Sequence, residues 1–385
     1  MHFSFTEQQQ EVQNFARDFG RKHIAPYSRE WDLQGSFPRE LLLQMGDLGL
    51  LGVPIPETYG GMGLDYLSEA LVFEEIGYCD SSVRTTLSVQ MSLVELTILA
   101  WGTEEQKQHF LPKLCSGEWV GCFGLTEPDA GSDPANQQTI ARRDGNDWIL
   151  NGQKVWISNG NWADVAIIFA QTEPGSRHKG MVAFLIETAG RDGYEAPLMG
   201  NKLGLKASNT SEIFMSDLRV SDSERLGEVG EGFKVAMSAL DNGRMGVAAG
   251  CVGAAQHALD VSVQYAQERQ TFNKPIASRQ LVQAMLADMY TETEAARMLV
   301  YKAAWTKNQG LESTIPVSMA KYYASEVAKK VADMAIQIHG GYGYSNEYDP
   351  ERIWRDARVA SLYEGTSQIQ QLILGRHLTG ISAFV

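Results

Sequence analysis

Hydrophobic positions recur at three- and four-residue spacing through "RELLLQMGDLGLLGV" and "SSVRTTLSVQMSLVELTILAWG", which predicts helices over residues 1 to about 115. Thr6, followed by an amphipathic run, reads as the cap of a helix that starts almost at once. "PIPETYGGMGLD" separates the two helical runs as a Pro/Gly loop. From about 116 to 225 the spacing shortens: apolar runs such as "VGCFGLTEP", "DWILNGQKVWIS", "VAIIFAQT" and "MVAFLIE", broken by turn residues, predict a β-domain. Within it Asn151-Gly152 predicts a hairpin turn, because a type I′ turn needs two positive φ angles. After Gly232 long helical patterns return, with lengths that fit a four-helix bundle. The expected fold class is α+β in three parts: an N-terminal all-α domain over 1–115, a middle β-barrel or sandwich over 116–225, and a C-terminal four-helix bundle over 226–385.

A chain of 385 residues is too long for one ordinary core, which agrees with several domains. The 33 Lys+Arg against 47 Asp+Glu leave a net charge of −14, which argues against nucleic acid as the main partner because phosphate binding needs surplus positive charge. Cys79, Cys115, Cys122 and Cys251 are scattered, with no CxxC pair and no neighbouring His, so reduced buried thiols are expected and no metal site. The N-terminus has no basic region ahead of an apolar core, so no targeting peptide is expected, and no window reaches the roughly 18 consecutive apolar residues of a membrane helix. A soluble protein of the bacterial cytoplasm, or the mature form of a mitochondrial matrix enzyme, is the expectation.

Five segments hold residues able to carry chemistry. In "FGLTEPDAGSD", Gly124, Thr126, Pro128, Gly131 and Ser132 follow an apolar run, where glycines let backbone approach an extended polar ligand; an ordinary turn has the same composition. The segment matches neither the GxGxxG nor the GxxxxGK[ST] phosphate loop. In "KVWISNG", Trp156 and Ser158 alternate onto one strand face, which would wall a flat heterocycle or serve as core. "ALDNGRMG" starts a helix on which Asp241 and Arg244 stand one turn apart, as a helix ion pair would. Arg269, Gln337, Gly340 and Gly341 mark helix ends where a guanidinium and free N–H groups can hold a diphosphate or simply cap. His339 among them has no second ligand at a metal-binding interval and reads as packed or capping. The last segment is "YEGTSQIQ", with the lone carboxylate Glu364.

Together, "LTEPDAGSD", "KVWISNG", "QIHGGYGY" and "LYEGTSQIQ" closely resemble the acyl-CoA dehydrogenase family, and the likeness spans nearly the whole chain, including the α–β–α order. The resemblance implies an enzyme that binds FAD non-covalently and desaturates an acyl-CoA thioester between its α and β carbons. It further implies homotetramers whose flavin sites draw on two subunits, with electrons leaving to electron-transferring flavoprotein. By motif matching, Phe123, Leu125, Thr126, Ser132, Trp156 and Ser158 meet the flavin end. Arg269, Phe272, Gln280, Gln337, Ile338, Gly340, Gly341, Thr366 and Gln368 hold the diphosphate and adenosine end, Arg269 and Gln280 reaching a neighbouring subunit's cofactor.

Glu364 then looks like the general base, taking the pro-R α-proton while the β-hydrogen leaves as hydride to flavin N5. Such a proton is too weakly acidic for an unassisted carboxylate, so the site must stabilise enolate-like charge. In the family the Glu364 N–H and a flavin ribityl hydroxyl bind the thioester oxygen. A desolvated pocket should raise the pKa of Glu364 toward working pH. Some branches carry the base at the position matched here by Gly243, which cannot serve. Asp241, Arg244, Ser132 and Gly365 resemble substrate-contacting positions, with Gly365 leaving room for the acyl chain. Asn273 in "TFNKP" departs from the family's usual glycine.

Gly243 is like the short-chain members, whereas "LILGRHLTGISAF" and "SVRTTLSVQMSLV" look like glutaryl-CoA dehydrogenases, in which the arginine matched by Arg84 grips a distal carboxylate. Glu95 lies on the same predicted helix and can satisfy Arg84 or repel a dicarboxylate. A short-chain acyl-CoA is the expected substrate. A dicarboxyl-CoA bound through Arg84, or an acyl group on a carrier protein, is the alternative within the fold, and a helical scaffold without flavin is the one outside enzymology.

Overall fold

The computed structural model describes residues 4–383. The N-terminal part comprises α1 (Glu7–His23), α2 (Ser28–Gln34), α3 (Glu40–Asp47), α4 (Tyr66–Cys79), α5 (Ser81–Ser88), α6 (Leu96–Trp101) and α7 (Glu104–Cys115). Thr6 caps α1 as its sequence predicts: its hydroxyl accepts from Gln9 N at 3.2 Å while the Gln9 side chain accepts from Thr6 N at 3.0 Å. The apolar run after Leu41 is helical only to Asp47 and then breaks into turns. The run from Ser81 to Trp101 does not form one α-helix either, because Val89–Glu95 is wound as a π-helix between α5 and α6.

The middle part holds β1 (Gly121–Gly124), β2 (Ile140–Asp144), β3 (Asp147–Ser158), β4 (Val165–Gln171), β5 (Met181–Glu187), β6 (Tyr194–Glu195), β7 (Thr210–Ser221) and β8 (Arg225–Leu226). They join in one sheet of order β6-β7-β3-β2-β4-β5-β8, with β1 parallel to β4. The sheet folds on itself around Cys122, Ile168 and Phe184 from one side and Trp148, Leu150 and Ile213 from the other. The outer face of β1, β4 and β5 (Phe123, Ile167, Phe169, Leu185) packs on the helices.

Asn151-Gly152 is not the predicted hairpin. It lies inside β3 at a register shift in the β3–β7 pairing, and the turn between β2 and β3 falls instead at Gly145-Asn146, where Gly145 has φ 64°. Glycine is needed at 152 for a different reason: a β-carbon there would come 2.7 Å from Thr139 Cα. A strand bulge and a hairpin share this dipeptide signal, and pairing on both sides of it decided for the bulge.

The C-terminal part contains α8 (Gly232–Glu268), a short hairpin of β9 (Gln270–Thr271) and β10 (Lys274–Pro275), then α9 (Gln280–Asn308), α10 (Thr314–His339), α11 (Asp349–Ala357) and α12 (Ser367–Thr379). "ALDNGRMG" therefore lies inside α8 and does not start it. The hairpin turn is Phe272-Asn273, with φ 50° and 58°, so asparagine takes a left-handed conformation that its short polar side chain tolerates. Arg355 of α11 binds Asp32 of α2 at 2.7 Å, and Leu205 N donates to Asp356 at 2.6 Å, which ties the three parts together. Gly243, Gly246 and Gly250 recur on the buried face of α8, presenting a stripe without side chains to Glu364, Phe73 and Arg84 in turn.

Candidate active site

Glu364 sits in the short link between α11 and α12, at φ 51°, followed by Gly365 at φ 87°. Thr366 then caps α12, accepting from Ile369 N at 3.2 Å. Two consecutive carbonyls pin the turn. Glu364 O accepts from Arg244 Nε at 3.1 Å and Gln370 Nε2 at 3.3 Å; Gly365 O accepts from Lys321 Nζ at 2.6 Å and Gln370 Nε2 at 3.2 Å. Arg244 is itself oriented by Asp241, 2.7 Å away, which in turn accepts from Thr314 Oγ1 at 2.8 Å.

The residue keeps some exposed surface, but its Oε2 is buried and has no hydrogen-bond partner. The Glu364 main-chain N–H likewise donates to no acceptor among the described residues. Desolvation raises the carboxyl pKa to about 7, against the opposing pull of the Arg84, Lys321 and Arg244 charges. The sequence argument expected this direction.

Arg84 is buried in a slot over Gly250, with its Cγ 3.1 Å from the place a β-carbon would take. Its Nη2 donates to Tyr363 Oη at 2.7 Å, and its Nε has no partner. Glu95, weighed above as its counter-ion, is turned elsewhere: the π-helix carries it to Cys115, whose Sγ is 3.8 Å from Glu95 Oε2.

Trp156 is 60% exposed at φ 61°, in a second bulge of β3 where pairing with β7 shifts between Lys154 and Ile157. Val155 N donates to Thr126 O at 2.9 Å, which sets the loop after β1 beside Trp156. Phe123 and Leu125 are buried, Thr126 and Ser158 half-buried, and Ser132 exposed on the loop. Two residues the sequence reading missed hold this corner. Lys154 Nζ, fully buried, binds Glu127 Oε1 at 2.6 Å and Gln137 Oε1 at 2.9 Å; Glu127 also receives Thr139 N at 3.0 Å and Gln138 N. A lysine running directly into the apolar stretch "VWI" is the available signal.

A separate cleft of about 530 Å³ is lined by Tyr265, Arg269, Ile338, His339, Gly340 and Gly341, among others. His339 is packed as expected, its Nδ1 2.8 Å from Ala335 O and its ring stacked on Tyr265 with centroids 4.2 Å apart. Gln337, Gln368, Gln280 and Phe272 are exposed, Phe272 at 91%. Thus Arg269, Ile338, Gly340 and Gly341 share one cleft, Glu364, Gly365, Asp241, Arg244 and Arg84 form one cluster, and no residue of the Trp156 corner lines the cleft.

Family models match the chain in three stretches: acyl-CoA dehydrogenase N-terminal domain over residues 6–118, middle domain over 122–218 and C-terminal domain over 230–379. A probable acyl-CoA dehydrogenase of Bacillus subtilis is 43% identical over 378 residues, 98% of this chain and 100% of that one. The solved butyryl-CoA dehydrogenase of Megasphaera elsdenii superposes with a TM-score of 0.96 at 43% identity, covering 98% of this chain and 100% of that chain. A chain in a structure of the electron transferring flavoprotein of Acidaminococcus fermentans gives a TM-score of 0.96 at 44% identity, covering 98% and 100%. With all three parts matched in order, the chain belongs to the acyl-CoA dehydrogenase family, flavin-dependent oxidoreductases that use FAD.

Proposed function

We propose that the protein oxidises a short-chain acyl-CoA to its trans-2-enoyl-CoA, with Glu364 as the base, and passes the electrons to electron-transferring flavoprotein as a homotetramer. The observation that carries the reading is the Glu364 carboxyl itself: buried, unpartnered at Oε2, pressed against Gly243 and surrounded by three cationic side chains. A surface glutamate would have none of these features.

The residues fit FAD. Trp156 offers an indole face held outward by a bulge, and a β-carbon on Gly340 or Gly341 would meet nothing within 4 Å, which leaves the cleft beside Arg269 open for a diphosphate. Phe123, Leu125, Thr126, Ser132, Trp156 and Ser158 would hold the ring end. Arg269, Phe272, Gln280, Gln337, Ile338, Gly340, Gly341, Thr366 and Gln368 would hold the remainder, and the exposure of Arg269 and Gln280 suits groups that act on a neighbouring subunit. When bound, FAD supplies the acceptor for the β-hydrogen as hydride.

The chain's own work is on the α-proton. The C–H bond breaks, the proton goes to Glu364, and its electron pair stays on the thioester as an enolate. The free Glu364 N–H is available to the thioester oxygen, and Arg84, Lys321 and Arg244 offset the charge as it moves off the carboxylate. Likeness to the Megasphaera butyryl-CoA dehydrogenase supports the short chain, and likeness to the chain in the Acidaminococcus flavoprotein structure supports the electron partner.

A second reading has one specific observation behind it. Arg84 is a buried guanidinium whose Nε lacks a partner, a setting that a distal substrate carboxylate would satisfy. The deciding experiment is a panel of acyl-CoA esters mixed anaerobically with the holoenzyme, read by bleaching of the flavin absorbance, with Glu364→Gln beside it. Bleaching by butyryl-CoA that disappears in the variant is expected; a variant that bleaches at the parent rate rejects Glu364 as base.

A further inference from the structure

Lys321 donates to no substrate or cofactor atom in the reaction as described, yet it is 0% exposed inside α10 and hydrogen-bonds the turn that carries Glu364. We infer that Lys321 is a positioning residue: it fixes the Glu364–Gly365 turn through the Gly365 carbonyl, and its buried charge holds the Glu364 carboxyl in its ionised form. The inference rests on Glu364 being the base.

Lys321 lies on the apolar stripe of its helix, with Val317, Ala324 and Ala328 at three- and four-residue intervals, all buried. An aliphatic side chain would fill that position without the cost of desolvating an ammonium. Among the described residues no carboxylate comes within ion-pair distance. Glu326, the nearest acid on its own helix, is engaged by Lys329 at 2.7 Å and by Ser367 Oγ at 2.6 Å. The ammonium makes one close contact, 2.6 Å to Gly365 O. That carbonyl belongs to a turn with two successive positive φ angles, one of them at a glutamate, a conformation disfavoured for L-residues. Strong donors are what keep such a turn in place.

Charge completes the argument. The groups acting on Glu364 are Arg84 of α5, Arg244 of α8 and Lys321 of α10. Those acting on Lys321 are Cys251 and Arg244 of α8, Glu364 of the turn and Glu326 of α10. Burial lowers the lysine pKa to about 8 while it raises that of Glu364 to about 7. Between those values both are charged, and each stabilises the charged form of the other.

The test separates positioning from packing by following α-proton exchange of butyryl-CoA in D₂O against pH, a readout that needs no hydride transfer. Lys321→Gln keeps a donor for Gly365 O but removes the charge, and the midpoint of its exchange profile should move up by about one pH unit. Lys321→Met loses the donor too, and its plateau should fall at least about tenfold at all pH values. Melting temperature and FAD content are recorded for both. A Lys321→Gln profile with the parent midpoint, while Glu364→Gln is inert, overturns the inference and leaves the base in place. Exchange at the parent rate in Glu364→Gln removes the base reading itself.

Discussion

Glu364 lies so close to Gly243 that a β-carbon at position 243 would overlap its Oε2 and stand 2.8 Å from its Cδ and 2.7 Å from Leu93 Cδ2. The glycine on α8 and the glutamate beyond α11 are one arrangement: the absence of a side chain in the first is the space occupied by the carboxyl of the second. Gly243→Ala should therefore turn the carboxyl away from its present direction. A displacement of the order of 1 Å costs roughly a hundredfold in rate, and Gly243 touches no residue of the cleft beside Arg269. Anaerobic flavin bleaching by butyryl-CoA should slow by about that factor with FAD content unchanged. Parent-like rates would show that the carboxyl does not act from this position.

The pH dependence follows from the same burial. Desolvation holds Glu364 near 7, so the ionised base accumulates as pH rises through about 7, and kcat/KM should rise with it. Stability runs the other way. The folded-state pKa lies above the solvent-exposed reference of 4.5, so between about 4.5 and 7 the native state binds the extra proton and stability falls as pH increases. Glu364→Gln carries no such charge. It should melt above the parent at pH 8, and the gap should close near pH 4; equal melting temperatures at both values would contradict a desolvated carboxyl.

Much of the fold was legible because its signals are periodic. The 3.6-residue spacing of α8, α9 and α10 reflects burial of a helix face, and the unbroken apolar runs of β1, β4 and β5 reflect burial on both faces of the strand. Asn151-Gly152 misled because a dipeptide reports local φ preference, while the choice between hairpin and bulge is made by pairing with β2 on one side and with β7, distant in sequence, on the other. Glu364, Trp156 and Arg269 were found through motif resemblance; composition alone would not have marked them. Lys154 and Lys321 were passed over for a physical reason: in a sequence, lysine counts as surface, and only the positions of Glu127 and of the Gly365 carbonyl reveal why these two are inside.

Lys154 and Glu127 form a fully buried ion pair behind the loop that reaches Thr126 and Ser132. Removing one partner strands the other charge, so Lys154→Met and Glu127→Gln should each cost about 3 to 5 kcal/mol of stability. Both should also loosen the loop and weaken FAD binding. The double variant should recover much of the stability, since no isolated charge remains, but not the FAD affinity. Denaturant melts and FAD titration by fluorescence quenching check the two halves separately; additive losses in the double variant would mean the pair does not act as a unit.

Arg84→Gln tests the choice between monocarboxyl and dicarboxyl substrates. Among the described residues the one side-chain hydrogen bond of Arg84 goes to Tyr363, and Glu364, the proposed base, is among the charges that stabilise it, so its guanidinium is placed as a counter-charge to that carboxylate. Of the three cations acting on Glu364 it lowers the pKa most. On that basis Arg84→Gln should move the kcat/KM profile for butyryl-CoA to higher pH and lower its value at pH 7. Glutaryl-CoA should be the poorer substrate in both forms, because a second carboxylate would bring a negative charge up to the ionised base. If instead Arg84 grips a distal carboxylate, butyryl-CoA turnover should barely change in Arg84→Gln while glutaryl-CoA falls by a factor of roughly 10² or more, the loss expected on leaving a buried charge unpaired. The ratio of kcat/KM for the two esters, measured in parent and variant across pH 6 to 9, separates these outcomes, and a parent ratio in favour of glutaryl-CoA would end the short monocarboxyl reading.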